Sequence, residues 1–249
     1  MTRRFFIAFV LLLFCGAEAA YAAPLEKALK FQQSHYFLGK CELTVARQAF
    51  RLDNAGNFKF VVVSKAPDWT VNIYRNDDKI YFSESLAEFT ETGLLSDFLV
   101  TRKNRSVDPK THRKSDIDFC GFKIVRMSGA RQTLKYMPLE RALGASRQIE
   151  ALCYGLYKMP TSGGIPITFT AIADSNDYFS NTNTRGSLQK FFDTSKIEAV
   201  EVPPSFFILP RGYKKAVSVR AVVSGKKAVE QSESALETFT TDDELKKRK

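Results

Sequence analysis

Four cysteines and two histidines have the most chemistry to offer in this chain of 249 residues, and their placement argues against most of it. A metal centre needs ligands at short intervals. Cys15, Cys41, Cys120 and Cys153 stand far apart, with only His35 and His112 to supplement them. A nucleophile activated by imidazole would have to borrow His35, beside Tyr36 and Phe37, or His112, among basic residues, and no catalytic motif surrounds either. The sequence carries no signature of a reaction, so no enzymatic activity, metal or cofactor is expected. Oxidation of the thiols remains, and that depends on compartment.

The compartment is written at the start. Arg3 and Arg4 form a positive n-region, Phe5 to Phe14 an apolar run, and Ala20-Tyr21-Ala22 a small-x-small cleavage pattern. Residues 1–22 therefore read as a signal peptide, and an exported protein, most simply periplasmic, is expected. Cys15 follows Phe14, whereas lipoprotein processing needs a small side chain there, so no lipid anchor is expected. Thr2-Arg3-Arg4-Phe5-Phe6-Ile7 also fits the twin-arginine pattern, against the simpler reading in which two arginines supply the n-region charge. The apolar run is shorter than the ~20 residues of a membrane span and no later run reaches that length, so no transmembrane segment is expected in the mature chain.

Cleavage removes Arg3, Arg4 and Glu18 and lowers the net charge of +10 by one. Such a surface attracts anionic membranes, envelope polymers or acidic proteins. Between Thr101 and Asp116 the bases Arg102, Lys103, Arg105, Lys110, Arg113 and Lys114 outnumber Asp108 and Asp116, with no apolar periodicity. Residues 101–116 read as an exposed basic loop, in which Arg102, Lys103, Arg105, Arg113 and Lys114 are candidate anion contacts; the plain alternative is a solvated loop.

Elements that could position these groups follow from periodicity. Period two marks strands at Phe50 and Leu52, Phe58 to Val63, Val71 and Ile73, Ile80 and Phe82, and Phe122 to Met127. It continues at Leu134 and Tyr136, Ile167 to Ala171, Phe206 to Leu209, and Val217 to Val223. Turns at 53–57, 76–78 and 128–129 separate several of them into a meander of about eight antiparallel strands. Helical spacing predicts a short helix at Leu25, Ala28 and Leu29, another within Ser85–Leu99, and the clearest at Ile149, Leu152, Cys153 and Leu156, stopped by Pro160 and Gly163-Gly164. A long sheet with few helices buries its apolar face by curling around them. The expected fold is mainly β, an open, incompletely closed antiparallel barrel with a few helices on its concave face. It forms a single domain over residues 23–224, and 225–249 is a charged tail. Three cysteine pairings are open; Cys120, starting a strand, with Cys153, on the inner helix stripe, is the expected disulfide, leaving Cys41 unpaired.

Three short motifs add a resemblance. Phe207-Ile208-Leu209-Pro210-Arg211-Gly212-Tyr213 is similar to the terminal Phe-x-x-Pro-x-Gly strand of the LolA/LolB-like outer-membrane lipoprotein carriers. Pro160-Thr161-Ser162-Gly163-Gly164-Ile165-Pro166-Ile167 resembles their loop into a late strand. Ala66-Pro67-Asp68-Trp69-Thr70-Val71 resembles a turn in related exported proteins. The resemblance runs in element order from about Leu25 to Val223 and implies a helix-first half-barrel; the basic loop, cysteines and charged tail are not part of that pattern. It implies a carrier holding a lipid, acyl chain, lipidated protein or other apolar ligand in the concave face. The residues that would line it are Phe60, Val62, Trp69, Val71, Ile73, Phe122, Ile124, Ile167 and Phe169, which read equally as ordinary core. The alternative is a module with a packed core that binds an anionic polymer, membrane surface or protein through 101–116. Nucleic acid is not an expected partner.

Overall fold

The computed structural model describes residues 24–56, 58–94, 113–172 and 187–225; the expected signal peptide, residues 101–112 of the expected basic loop and residues 226–249 of the expected tail lie outside them. A first meander comprises β1 (Glu26–His35), β2 (Gly39–Ala46), β3 (Ala49–Asn54), β4 (Val61–Lys65), β5 (Val71–Arg75) and β6 (Ile80–Glu84). Helix α1 (Leu86–Thr92) follows. The second meander is β7 (Arg113–Phe119), β8 (Phe122–Ser128), β9 (Gln132–Pro138), β10 (Gly164–Ile172) and β11 (Leu188–Val202), with α2 (Arg147–Tyr157) between β9 and β10. A two-residue strand β12 (Lys214–Lys215) and a helix α3 (Val219–Ser224) finish the described chain. All twelve strands form one sheet, in the order β12-β6-β5-β4-β3-β2-β1-β11-β10-β9-β8-β7, not closed into a barrel.

The two meanders are joined by their first and last strands. β1 pairs antiparallel with β11 from Glu26↔Val202 to His35↔Phe192, with a bulge at Gln32/Gln33. Along β1, Leu29, Phe31, Gln33 and His35 point to a buried face. This is the helix face, because Tyr157 of α2 donates to Gln33 and stacks on His35. Ala28 points to the outer face, where Phe207 packs it with Ala46, Ala49 and Val202.

This double burial explains a correction. Leu25, Ala28 and Leu29 are spaced as a helix would space them, but Leu25 precedes strand β1 and Ala28 and Leu29 lie within it. Ala28 and Leu29 are adjacent and both buried because the sheet is covered on both faces here, which breaks the period of two. Phe206 to Leu209 is not a strand either. Pro204–Phe207 is a 3-10 turn that seats Phe207 against the outer face. Val217 to Val223 yields α3, capped by Ser218, whose hydroxyl accepts from the Ala221 amide, with Val222 and Val223 in the main core. Residues 113–116 leave the expected loop and open strand β7, and strands β2 and β11 have no counterpart in the expected meander. The helices expected within Ser85–Leu99 and at Ile149–Leu156 are present as α1 and α2, the first with a capping box between Ser85 and Glu88.

The C-terminal segment wraps an edge of the sheet. Arg51 of β3 donates to the Phe206 carbonyl at 2.9 Å and lies 4.3 Å from the centre of the Phe206 ring, while Tyr213 packs edge-on against Tyr74. β12 then pairs in parallel with β6, and Arg75 donates to the Val223 carbonyl at the end of α3 at 3.2 Å. On the helix face, α1 and α2 cross where Gly155 leaves room for Phe89: a Cβ at Gly155 would lie 2.6 Å from two ring atoms and 3.0 Å from the Phe89 carbonyl oxygen.

Gly155→Ala should therefore destabilise the fold by about 1–3 kcal/mol, the usual range for overpacking. Urea unfolding should show this while far-ultraviolet circular dichroism of the folded protein stays unchanged. A variant as stable as wild type would show that the helices do not cross this closely.

Candidate functional site

The candidate lining residues all fall in or against one core. Val62 faces Ile73 across β4 and β5, and Phe169 faces Leu134 across β10 and β9. Phe60, Trp69, Val71, Ile124 and Ile167 join the same cluster, Phe122 packs on its margin, and Ile149, Leu152, Cys153, Leu156 and Tyr157 of α2 complete it. A side chain that borders a ligand-sized void keeps surface that a water-sized sphere can touch. Phe60, Val62, Val71, Ile73, Ile124 and Ile167 keep none, so protein atoms close around each. Trp69, in the turn after Pro67 with φ of 52°, is buried too.

A polar cluster that the sequence did not disclose lies where α2 meets the β1–β11 pair. The buried Tyr157 hydroxyl donates to Gln33 Oε1 at 2.7 Å, and Gln33 Nε2 reaches the Pro166 carbonyl and Thr194 Oγ1, each at 3.4 Å. Burial pushes the Tyr157 hydroxyl well above its ordinary range, so it stays a proton donor. His35 Nδ1 accepts from the backbone amides of Phe37 and Leu38 and is spent on the β1–β2 turn. Nearby, Asn54 donates to the Leu38 carbonyl at 2.8 Å and to Cys41 Sγ at 3.3 Å, and accepts from the Phe58 and Lys59 amides. These groups bind one another and the backbone, which organises strand ends rather than a substrate. Among the described residues no group of His, Cys, Asp and Glu is placed to hold a metal ion.

The expected Cys120–Cys153 disulfide is absent; Cys41, Cys120 and Cys153 are all free thiols. Cys120 is exposed in the β7–β8 turn at φ of 51°, whereas Cys153 is sealed on the buried face of α2. The helix stripe that suggested the pairing is a buried stripe, which hides Cys153 from an exposed partner. Burial raises the Cys41 thiol from 9.0 to about 11, against the lowering hydrogen bond from Asn54, and raises Cys153 further.

Of the candidate anion contacts, Arg113 and Lys114 lie exposed on the edge strand β7, while Arg102, Lys103 and Arg105 lie outside the described residues. Register shows what Arg113 belongs to. Ser115, Arg126, Lys135 and Thr168 form one row across β7 to β10, and Arg113, Ser128, Thr133 and Thr170 the next. β11 adds Asp193 beside Thr168 and Lys190 beside Thr170, with an Lys190–Asp193 ion pair of 2.9 Å. Arg126 and Lys135 alternate with apolar residues along their strands, a signal visible in the sequence once those strands are known, whereas Lys190 follows the polar Gln189. On the opposite side of β7, Arg141 holds Asp116 at 3.0 Å and keeps its carboxyl below the usual range.

No family model matches the chain, and no curated protein matches it. Among solved structures, an uncharacterized conserved protein from Thermus thermophilus is similar at a TM-score of 0.37 and 6% identity, over 79% of this chain and 91% of that one. A likeness of this size carries no argument about function.

Two outcomes test the thiol environments. Alkylation of the folded mature protein near pH 8 should modify Cys120 alone, with Cys41 and Cys153 reacting only in denaturant; peptide mass spectrometry reads this directly, and prompt labelling of Cys153 would contradict its burial. A thiol whose folded pKa is raised stabilises the fold fully below the unfolded value and loses that contribution as pH climbs through the folded one. From 9.0 to about 11, the Cys41 contribution should fall by about 3 kcal/mol. Urea titrations across that interval should fall less steeply for Cys41→Ala than for wild type, and parallel profiles would remove Cys41 from the account.

Proposed function

We propose that the protein is an exported, non-enzymatic interaction module whose sheet and helices are a packed scaffold and whose basic outer surface contacts an anionic partner of the cell envelope. The observation that carries this reading is the complete burial of Phe60, Val62, Val71, Ile73, Ile124 and Ile167 in one cluster with the inward residues of α2 and α3. In a carrier of acyl chains, those side chains would border ligand space, and α2 would have to lift from the sheet before anything apolar could enter. In this reading the curl of the sheet around α2 serves stability, and the half-barrel resemblance describes architecture rather than cargo. Periplasmic location, from the leader, belongs to the same proposal.

A fluorescent fatty acid should show no saturable binding to the wild-type mature protein. Val71→Glu should unfold it, costing about 3 kcal/mol or more, because the new carboxylate enters a sealed core. It also lies opposite Glu84 on β6, where like charges repel. Saturable uptake by wild type, abolished by Val71→Glu without unfolding, would establish the carrier instead.

A further inference from the structure

The outer face of β7 to β11 differs from an ordinary solvated sheet face in its charge balance. The register-matched rows place Arg113, Arg126, Lys135 and Lys190 on that one face, with Asp193 as the acid among them, and further along β11 the same face carries Glu198 already paired with Lys196. The Asp193 carboxylate is already engaged by Lys190 at 2.9 Å and by the Thr168 hydroxyl at 3.3 Å. The hydroxyls of Ser115, Ser128, Thr133 and Thr170 fill positions between the cations, so the face offers hydrogen-bond donors and positive charge at neighbouring sites. Strands spaced about 4.8 Å apart make five of them a surface roughly 20 Å across. One margin is apolar. Leu188, opposite Ile172 where β10 and β11 begin their pairing, shares the parity of Thr170 and Lys190 and is 62% exposed.

We propose that this face docks on an anionic lipid bilayer, with the four cations over headgroup phosphates and Leu188 entering the headgroup layer beside them. The proposal rests on the reading above that the protein works through its basic surface. Charge complementarity selects an anionic partner, and the exposed leucine at the margin selects a bilayer over a soluble polymer, which has no apolar layer to receive it. A broad sheet face also matches a planar partner better than a single extended chain, which would be held in a groove.

The test uses the full mature chain and sedimentation with vesicles of phosphatidylcholine alone or with about one-third phosphatidylglycerol, at low and at physiological salt. Wild type should bind the anionic vesicles alone, less tightly as salt rises. Arg126→Ser with Lys135→Ser should lower the partition coefficient roughly thirtyfold, at about a factor of five per cation. Leu188→Ser should weaken binding without changing its salt dependence, and all variants should keep the wild-type thermal midpoint because the altered side chains lie at the surface. Equal binding to neutral vesicles, a double variant that binds like wild type, or binding to a soluble anionic polysaccharide without binding to vesicles would each overturn the docking proposal. Loss of the docking proposal leaves the packed-module reading intact if fatty acid is still refused, whereas fatty-acid uptake overturns that reading by itself.

Discussion

The pairing of β1 with β11 is the constraint on which the rest of the molecule depends. Each meander forms from neighbouring hairpins, but neither has a reason to meet the other until strands more than a hundred and fifty positions apart, such as Glu26 and Val202, come into register. Closing so long a loop costs entropy, and the cost is recovered only when both faces of the ladder are covered. On the helix face the alternation of β1 brings the Gln33 amide into the core, and the extra residue Ser195 of β11 sets Thr194 opposite it; that amide must be satisfied there. Tyr157, Thr194 and the Pro166 carbonyl do so, drawn from α2, β11 and β10. One buried side chain therefore ties the position of the main helix to the joining of the two halves, because any slip between them leaves Gln33 unpaired in an apolar medium.

The open edges are handled differently at the two ends. At β6 the chain itself supplies cover: the segment after β11 crosses the outer face, lays β12 along the edge, and returns to the helix face as α3. Arg51 and Arg75 pin the two ends of this crossing through carbonyls of Phe206 and Val223. The motif Phe207 to Tyr213, which suggested a terminal strand, is thus a strap. Its apolar residues serve the outer face, and Tyr213 donates to Asn76 at 2.8 Å in the turn between β5 and β6. At β7 no strand among the described residues covers the edge. Arg113, Lys114, Asp116 and Asp118 stand exposed there, and charge of both signs discourages pairing with another chain.

Legibility in the sequence followed burial. Strands with one buried and one wet face, such as β8 with Arg126 between Val125 and Met127, announced themselves by alternation, and α2 by its stripe. β1 and the strap failed for one shared reason: Ala28 and Phe207 bury each other on the outer face, so both segments carry apolar residues at spacings that belong to no single element. α3 failed because four valines spread over residues 217–223 read as strand or helix alike, and the Ser218 cap decides it only once seen. The basic surface was half legible. Charge density drew attention to 101–116, but the face that includes Arg113 is built from residues far apart in the chain, and only register brings Arg126, Lys135 and Lys190 beside it.

A scaffold packed on its helix face and polar over part of its outer face separates what must be kept from what can vary. The helix face has no slack: the side chains around Ile73 touch protein on every side, so stability constrains them and leaves little freedom to recruit a ligand. Cations on the outer face of β7 to β11 contribute little to folding, since exposed charges in water interact weakly and their mutual repulsion slightly opposes the compact state. Arg113, Arg126 and Lys135 nevertheless gather on that face, while the carboxylates it carries on β11, Asp193 and Glu198, are engaged by Lys190 and Lys196. A molecule whose stability is indifferent to a concentrated charge, and whose net charge is strongly positive, is arranged as a contact surface needs to be: rigid beneath, so that binding orders few residues, and charged above, so that approach is steered before contact.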